Sequence, residues 1–153
     1  METKTRILAA DSNKDFCRQL TELIAQEGDM EIVGTASDGV ETLALLSEEK
    51  PDILLLDLVL PKLDGLEVLR RLPETGAKCR TIVLSGFVNS KVISDCTNYG
   101  VDYFMPKPCD VPALLTRIRQ LSGHESYSMP AAGIDCRESS VAARDDAQLE
   151  AVV

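Results

Sequence analysis

The chain has 153 residues, of which 44% are hydrophobic, and this is typical of one globular domain of ordinary size followed by a tail. Its net charge is −9, and the sequence has no Lys/Arg-rich stripe that could bind phosphates. Both observations disfavour direct DNA contact by this segment. No apolar run reaches the roughly 20 residues that span a bilayer, and no secretion leader precedes the first apolar run, so we expect a cytoplasmic protein without a membrane partner.

Five short apolar runs alternate with amphipathic stretches along the chain. The runs predict strands over residues 6–10, 31–36, 52–57, 81–85 and 101–105. Between and after them, the predicted helix starts are Asn13, Ser37 or Asp38, Asp64-Gly65, Asn89 or Ser90, and Asp110. The predicted helix ends are near Gly28, Pro51, Pro73, Gly100 and Gly123. The second helix is expected to turn Val40 inward. Five βα units predict an α/β fold, a doubly wound five-stranded parallel sheet of flavodoxin-like order 2-1-3-4-5 with helices on both faces.

The composition changes at His124, where Ser, Ala, Gly and acidic residues become dominant. We therefore predict a folded domain over residues 1–123 and a flexible linker over 124–146. Residues 147–153 resemble the first turns of a helix, and we expect them to begin a further, C-terminal domain. The five cysteines have no CxxC spacing, which predicts thiols in a reducing compartment.

The most informative pattern is an apolar run, residues 53–56, that ends in Asp57. In a doubly wound sheet, the strand ends that carry Asp11, Asp57, Ser85 and Lys107 converge at the carboxyl edge. Carboxylate oxygens suit Mg²⁺, whereas a lysine and a hydroxyl suit the oxygens of a phosphoryl group. Asp57 is thus a candidate nucleophile that forms an acyl phosphate, assisted by metal and ammonium charge.

These residues resemble the receiver domains of two-component response regulators over residues 4–122. The matching motifs are Ala10-Asp11, Leu56-Asp57, Pro61 with Asp64-Gly65, Leu84-Ser85-Gly86 and Phe104-Met105-Pro106-Lys107-Pro108. Within that family, three further segments are most similar to the receiver of the sporulation stage-zero master regulators of spore-forming Firmicutes. Those segments span residues 28–34, 63–66 and 118–123, and residues 149–153 resemble the opening of the DNA-binding domain of the same regulators.

The resemblance implies a role for each matching residue. Asp57 would accept phosphate from a phosphohistidine on a histidine kinase or phosphotransfer protein, and the Val59 carbonyl would be a metal ligand beside Asp11 and Asp57. Ser85 would hydrogen-bond the phosphoryl group and Lys107 would pair with it.

The resemblance also implies a switch and an output. Phe104 matches the switch aromatic, whose rotamer follows Ser85, although burial in the core is an equally good interpretation of Phe104. Lys107-Pro108 would be a cis peptide. Helix 89–99, strand 101–105 and helix 110–122 would form the face for self-association on activation. DNA would be contacted only through the C-terminal domain.

The chain departs from the family at Ser12, where the second of two adjacent acids is usual. Loss of one carboxylate lowers the charge of the ligand set, so we expect weak Mg²⁺ binding, with Ser12 at most a weak or water-mediated ligand. Ser12 also motivates an alternative function, a receiver that acts without phosphorylation as a dimerisation or docking module.

An enzyme is the least favoured function. A dehalogenase-type phosphatase needs a second acid two residues after Asp57, and that residue is Val59. An FMN protein needs a Ser/Thr/Gly-rich phosphate loop after the first strand, where this chain has a short acidic one.

Overall fold

The computed structural model describes residues 4–86, 89–122 and 134–135. The strands are β1 (Thr5–Ala10), β2 (Met30–Ala36), β3 (Ile53–Leu56), β4 (Arg80–Ser85), β5 (Tyr103–Pro106) and β6 (Ile134–Asp135). The helices are α1 (Lys14–Ala25), α2 (Gly39–Glu49), α3 (Gly65–Arg71), α4 (Ser90–Asn98) and α5 (Val111–Ser122). The order of the parallel strands is β2-β1-β3-β4-β5, which confirms the predicted flavodoxin-like topology.

The chain divides into two compact units, Met1–Arg80 and Thr81–Val153. In the first unit, β1 pairs in parallel with both β2 and β3. In the second unit, β4 pairs in parallel with β5, and β5 pairs antiparallel with β6. In each unit, at least two neighbouring parallel strands therefore end at the same edge of the sheet. This arrangement brings strand-end residues together.

The predicted helix starts are confirmed by side-chain caps. Asn13 Oδ1 accepts from the Phe16 N–H at 3.1 Å in front of α1. The carboxylates of Asp38 and Asp64 cap α2 and α3 in the same way, and Asn89 caps α4. Each cap satisfies one of the backbone donors that a helix leaves unpaired in its first turn, so a local sequence signal places each of these starts.

The central strands form the core of the first unit. All four residues of β3 are buried, with exposures between 0% and 2%, as expected for a strand covered on both faces. Ile7 and Leu8 of β1 are likewise fully buried. The chain leaves this apolar environment only at the strand ends, which is where the polar residues begin.

One helical prediction is confirmed and one is wrong. The third helix ends before Pro73 as predicted, since α3 ends at Arg71 and Leu72 is its C-cap residue. Pro73 lies in the first turn of a 3-10 helix over Leu72–Thr75, where the missing N–H costs nothing. Val40 is 55% exposed rather than inward. Thr42 and Leu46 are the fully buried residues of α2, because helix rotation is set by packing against the neighbouring elements.

Strand β6 lies inside the predicted linker over 124–146. It pairs with β5 through Tyr103 opposite Asp135 and Phe104 opposite Ile134. Two residues in a polar, glycine-containing stretch give no periodic signal, so the sequence did not predict this strand. The rest of the linker prediction, and the prediction that residues 147–153 begin a further domain, lie outside the described residues.

Two global expectations concern membranes and thiols. Among the described helices, none is long and apolar enough to cross a membrane.

Cys17, Cys79, Cys96 and Cys109 are thiols and not disulfides, as predicted. Burial raises the pKa of the Cys109 thiol to about 11, and the neighbouring charge of Asp110 adds to the effect, so this thiol stays protonated at neutral pH.

Candidate functional site

Two buried carboxylates follow neighbouring strands of the first unit. Asp11 comes directly after β1 and Asp57 directly after β3, and the last residues of these strands, Ala10 and Leu56, are paired. The Asp57 N–H donates to the Ala10 carbonyl oxygen at 2.9 Å, which extends the ladder to the acid itself. Asp11 is 4% exposed and Asp57 is 9% exposed. Strand pairing thus brings two desolvated acids to adjacent positions at one edge.

Each carboxylate is oriented by the backbone of the loop that follows it. The Asn13 N–H donates to Asp11 Oδ1 at 2.9 Å, and the Val59 N–H donates to Asp57 Oδ1 at 3.1 Å. Both are local turns in which an aspartate binds the N–H two residues further on. One oxygen of each acid is therefore fixed by the chain itself, and the same geometry recurs at the two strand ends.

The loop after Asp57 is packed so tightly that one of its positions requires glycine. The Gly65 N–H donates to the Leu58 carbonyl oxygen at 2.9 Å. A Cβ on Gly65 would lie 2.6 Å from the Leu58 Cα and 2.7 Å from the Asp57 carbonyl oxygen, closer than any side chain can approach. This contact holds the loop against the residue that carries the candidate nucleophile. Val59, in contrast, is 68% exposed.

The residues after Asp11 play different parts. Asn13 caps α1, as its position predicted. Ser12 is exposed, directly after the buried Asp11. Within the described ranges, no group of three or more His, Cys, Asp and Glu side chains is placed to hold a metal ion. The donors that remain, two carboxylates and a backbone carbonyl, fit Mg²⁺ by their chemistry, since this ion keeps several waters and binds proteins through one or two carboxylates.

The second unit supplies a hydroxyl and an ammonium group. Ser85, the last residue of β4, is 1% exposed, and Lys107 follows β5 and is half-buried. Ser85 pairs with Pro106 in the sheet, and the Lys107 N–H donates to the Ser85 carbonyl oxygen at 3.0 Å. The Lys107-Pro108 peptide is cis, as the resemblance implies. The predicted hydroxyl and lysine thus stand on neighbouring strand ends.

Phe104 lies in the middle of β5 with 1% of its surface exposed. This agrees with the interpretation of Phe104 as a core residue. A switch function would require the ring to have a second position, and its role as the switch aromatic stays a prediction.

A cavity of about 440 Å³ in the first unit was not predicted from the sequence. Of the predicted site residues of this unit, Asp11 lines the cavity. The other lining residues come from α1, the end of β2 and the start of α2: Lys14, Cys17, Arg18, Thr21, Glu22, Thr35, Ala36, Ser37 and Glu41. Polar residues at helical spacing in α1 gave no sign of it, because such a pattern normally describes a solvated helix face.

The fold and its strand ends define the class of protein: a flavodoxin-like α/β domain whose polar residues are concentrated at the carboxyl ends of parallel strands. Residues 7–119 match the family described as response regulator receiver domain, and the chain belongs to that family. Receiver domains are signalling modules that interact with kinases, phosphotransfer proteins and other regulators.

Solved structures agree with this assignment. The response regulator domain of Thermotoga maritima CheB is 29% identical, with 79% of this chain and 98% of that chain covered and a TM-score of 0.71. The N-terminal domain of an uncharacterized Wolinella succinogenes protein is 31% identical, with coverages of 78% and 94% and a TM-score of 0.71. A CheX–CheY–BeF₃–Mg²⁺ complex from Borrelia burgdorferi matches at 28% identity, with coverages of 76% and 88% and a TM-score of 0.71.

Proposed function

We propose that this receiver accepts a phosphoryl group on Asp57 from a phosphohistidine of a histidine kinase or phosphotransfer protein. A carboxylate oxygen of Asp57 forms the bond to phosphorus while the N–P bond of the donor breaks and its electron pair returns to the imidazole. The observation that carries the proposal is the position of Asp57: it is buried directly after β3, oriented by the Val59 N–H, and next along the sheet to Asp11.

The cofactor in this proposal is Mg²⁺. Asp11, Asp57 and the Val59 carbonyl would hold it, and waters would complete its coordination. When bound, the ion neutralises the negative charge of the incoming phosphoryl group. Ser12 contributes no carboxylate, so the ion is held weakly. The Borrelia burgdorferi complex contains Mg²⁺ and BeF₃. Because BeF₃ is a chemical mimic of a phosphoryl group, that complex supports the same chemistry here.

Ser85 and Lys107 complete the proposed chemistry. The Ser85 hydroxyl donates a hydrogen bond to a phosphoryl oxygen, and the Lys107 ammonium pairs with another. The rotamer of Phe104 changes with the state of Ser85 and thereby alters the output face. This face consists of helix 89–99, strand 101–105 and helix 110–122, and activated chains associate through it. The phosphoryl group shifts the equilibrium between the inactive and the active arrangement only by the difference in its interaction free energy with the two.

The finer assignment is the control of transcription, in the manner of sporulation regulators. It rests on three sequence segments and on the last residues of the chain, which resemble the opening of a DNA-binding domain. DNA is then contacted by that further domain and not by the receiver.

The test is phosphoryl transfer in solution. The full chain is incubated with acetyl phosphate or phosphoramidate and Mg²⁺, and the adduct is detected by intact mass. We expect an adduct on the wild type and none on Asp57→Asn, which keeps the shape of the side chain and removes the nucleophile. Asp52→Asn is the matched control, because Asp52 is an exposed acid at the opposite end of β3 and should leave the adduct unchanged.

An adduct on Asp57→Asn would show that another residue is the acceptor. A folded wild type without any adduct would overturn phosphoryl acceptance and favour the alternative, a docking module that acts without phosphorylation.

A further inference from the structure

The backbone edge of β5 is covered by a segment of the same chain. In the sheet order, β5 has β4 on one side and β6 on the other. Tyr103 pairs with Asp135 and Phe104 pairs with Ile134 in antiparallel register. An uncovered edge strand presents a row of N–H and C=O groups that can pair with another chain. Strand β6 therefore occupies the place that a strand of a second molecule would otherwise take.

The helix that packs beside this edge contains a buried cation. Arg117 of α5 is only 4% exposed, and its guanidinium carbon lies 4.6 Å from the centroid of the Tyr103 ring. The Arg117 Nη1 and the Tyr103 hydroxyl both donate to Gln120 Oε1, at 3.1 and 3.2 Å. The Arg117 Nε is buried without a hydrogen-bond partner, and in the described part of the chain this arginine forms no salt bridge. A buried cation in this state favours the approach of an acid.

The register places Asp135 opposite the tyrosine that contacts this cation. Tyr103, whose ring lies under the guanidinium of Arg117, is the residue that pairs with Asp135. Tyr103 and Phe104 are themselves buried, at 3% and 1% exposed, so β5 behaves as an interior strand and not as a solvated edge. Backbone pairing thus places an acidic residue of this segment opposite the strand residue that contacts the buried cation.

We propose that Ile134–Asp135 is an intramolecular cap that blocks the edge of β5 from a second copy of this chain. The blocking part rests on the proposed function, because it assumes that strand 101–105 and helix 110–122 belong to the self-association face. The cap is formed by only two residue pairs, and a short ladder can be displaced when another partner binds the same edge better. Release of the segment then permits association of two chains.

The first experiment measures the cap itself, without any phosphoryl donor. In the full chain, Ile134→Pro removes one of the two backbone N–H groups of β6 and disfavours its pairing with β5. We expect amide hydrogen exchange over residues 103–105 to become roughly tenfold faster or more. Ser139→Pro is the matched control, since it places the same residue in the same stretch outside β6, and exchange should stay at the wild-type rate.

A second variant tests the charge argument. Asp135→Lys replaces the acid opposite Tyr103, the residue whose ring contacts Arg117, with a base, and like Ile134→Pro it should accelerate exchange over residues 103–105. If exchange in both variants equals that of the wild type, the cap does not exist.

Sedimentation velocity over a concentration series measures the blocking. We expect Ile134→Pro to dimerise at roughly tenfold lower concentration than the wild type and Ser139→Pro. Faster exchange with unchanged self-association would overturn the proposal that the cap blocks a second copy. Because no phosphoryl donor is used, failure of phosphoryl acceptance by Asp57 would appear separately, as a wild type that takes no adduct.

Discussion

The two units end their strands in opposite chemistry. The first unit ends β1 and β3 in the buried acids Asp11 and Asp57, and each acid is oriented by a backbone N–H two residues further on. The second unit ends β4 and β5 in Ser85 and Lys107, which are linked by a backbone hydrogen bond. One fold pattern thus presents two carboxylates in one unit, and a hydroxyl and an ammonium group in the other.

Two glycines, one in each unit, differ in the space that surrounds them. In the first unit, a Cβ on Gly39 would overlap the Leu63 carbonyl oxygen and lie 2.6 Å from the Leu63 Cβ. In the second unit, the nearest atom to a Cβ on Gly86 is the Lys107 Cβ, at 4.0 Å. The chain at Gly39 therefore has no room for a side chain, whereas the turn after Ser85 has room for one.

The largest expected effect is on stability. Gly39→Ala should lower the free energy of unfolding by about 3 kcal/mol, because backbone atoms must move to admit the methyl group. Gly86→Ala should change it by less than about 0.5 kcal/mol, as should Gly28→Ala, which meets nothing within 4 Å. Urea denaturation of the three variants measures the difference. Equal losses for Gly39→Ala and Gly86→Ala would break the contrast between the units.

The next effect is on the rate of phosphoryl transfer. Lys107→Ala should slow adduct formation on Asp57 roughly 100-fold, the loss typical when one charge-stabilising donor is removed. Lys91→Ala is the control in the same unit, because Lys91 is exposed and pairs with Asp95 at 3.0 Å on α4. The rate is measured by intact mass over time. If both variants react at the same rate, Lys107 has no part in the chemistry.

A smaller effect concerns the metal. Ser12→Asp restores a carboxylate directly after Asp11, and it should raise Mg²⁺ affinity about tenfold, since affinity follows the charge of the ligand set. Ser47→Asp adds the same charge at an exposed position of α2 and should leave the affinity unchanged. Isothermal titration calorimetry compares the two. Unchanged binding in Ser12→Asp would refute the explanation of weak affinity.

The smallest effect is on the pH dependence of stability. Side-chain hydrogen bonds from Arg70 and Arg71 lower the pKa of Glu67 from an ordinary value of 4.5 to about 2. A folded-state pKa below the unfolded one stabilises the protein above pH 4.5, and this contribution disappears as the pH falls toward 2. Because Glu67 lies at the surface and is only partly buried, solvent screening keeps the contribution small.

Urea midpoints between pH 7 and pH 2 test this contribution. Glu67→Gln should flatten the acid limb of the stability curve slightly, whereas the exposed control Glu48→Gln should reproduce the wild-type limb. An acid limb in Glu67→Gln as steep as that of the wild type would contradict the assignment.

Local patterns predicted most of the fold because their causes are local. An unbroken apolar run needs burial on both faces, so Ile53–Leu56 could be assigned to a central strand, and Asp57 to its exit, without any structure. The caps Asn13, Asp38, Asp64 and Asn89 act on donors three residues away, so they too are visible in the sequence. Right-handed connections then leave few possible strand orders, of which the flavodoxin-like order 2-1-3-4-5 is the favoured one.

The predictions failed where the structure depends on contacts between residues that are distant in the sequence. Val40 is exposed and Thr42 is buried because the rotation of α2 depends on what it packs against. The cavity beside Asp11 depends on the gap between α1, β2 and α2, which no single segment encodes.

The sequence by itself determined the type of fold, the strand ends and the identity of the polar groups on them, because apolar periodicity and capping act over a few residues. Only the tertiary structure decided that Asp11 and Asp57 are oriented alike, that Arg117 is buried over Tyr103, and that Ile134–Asp135 pairs with β5. The physical reason is distance along the chain: strand pairing and the burial of a charge depend on partners that a local pattern does not contain.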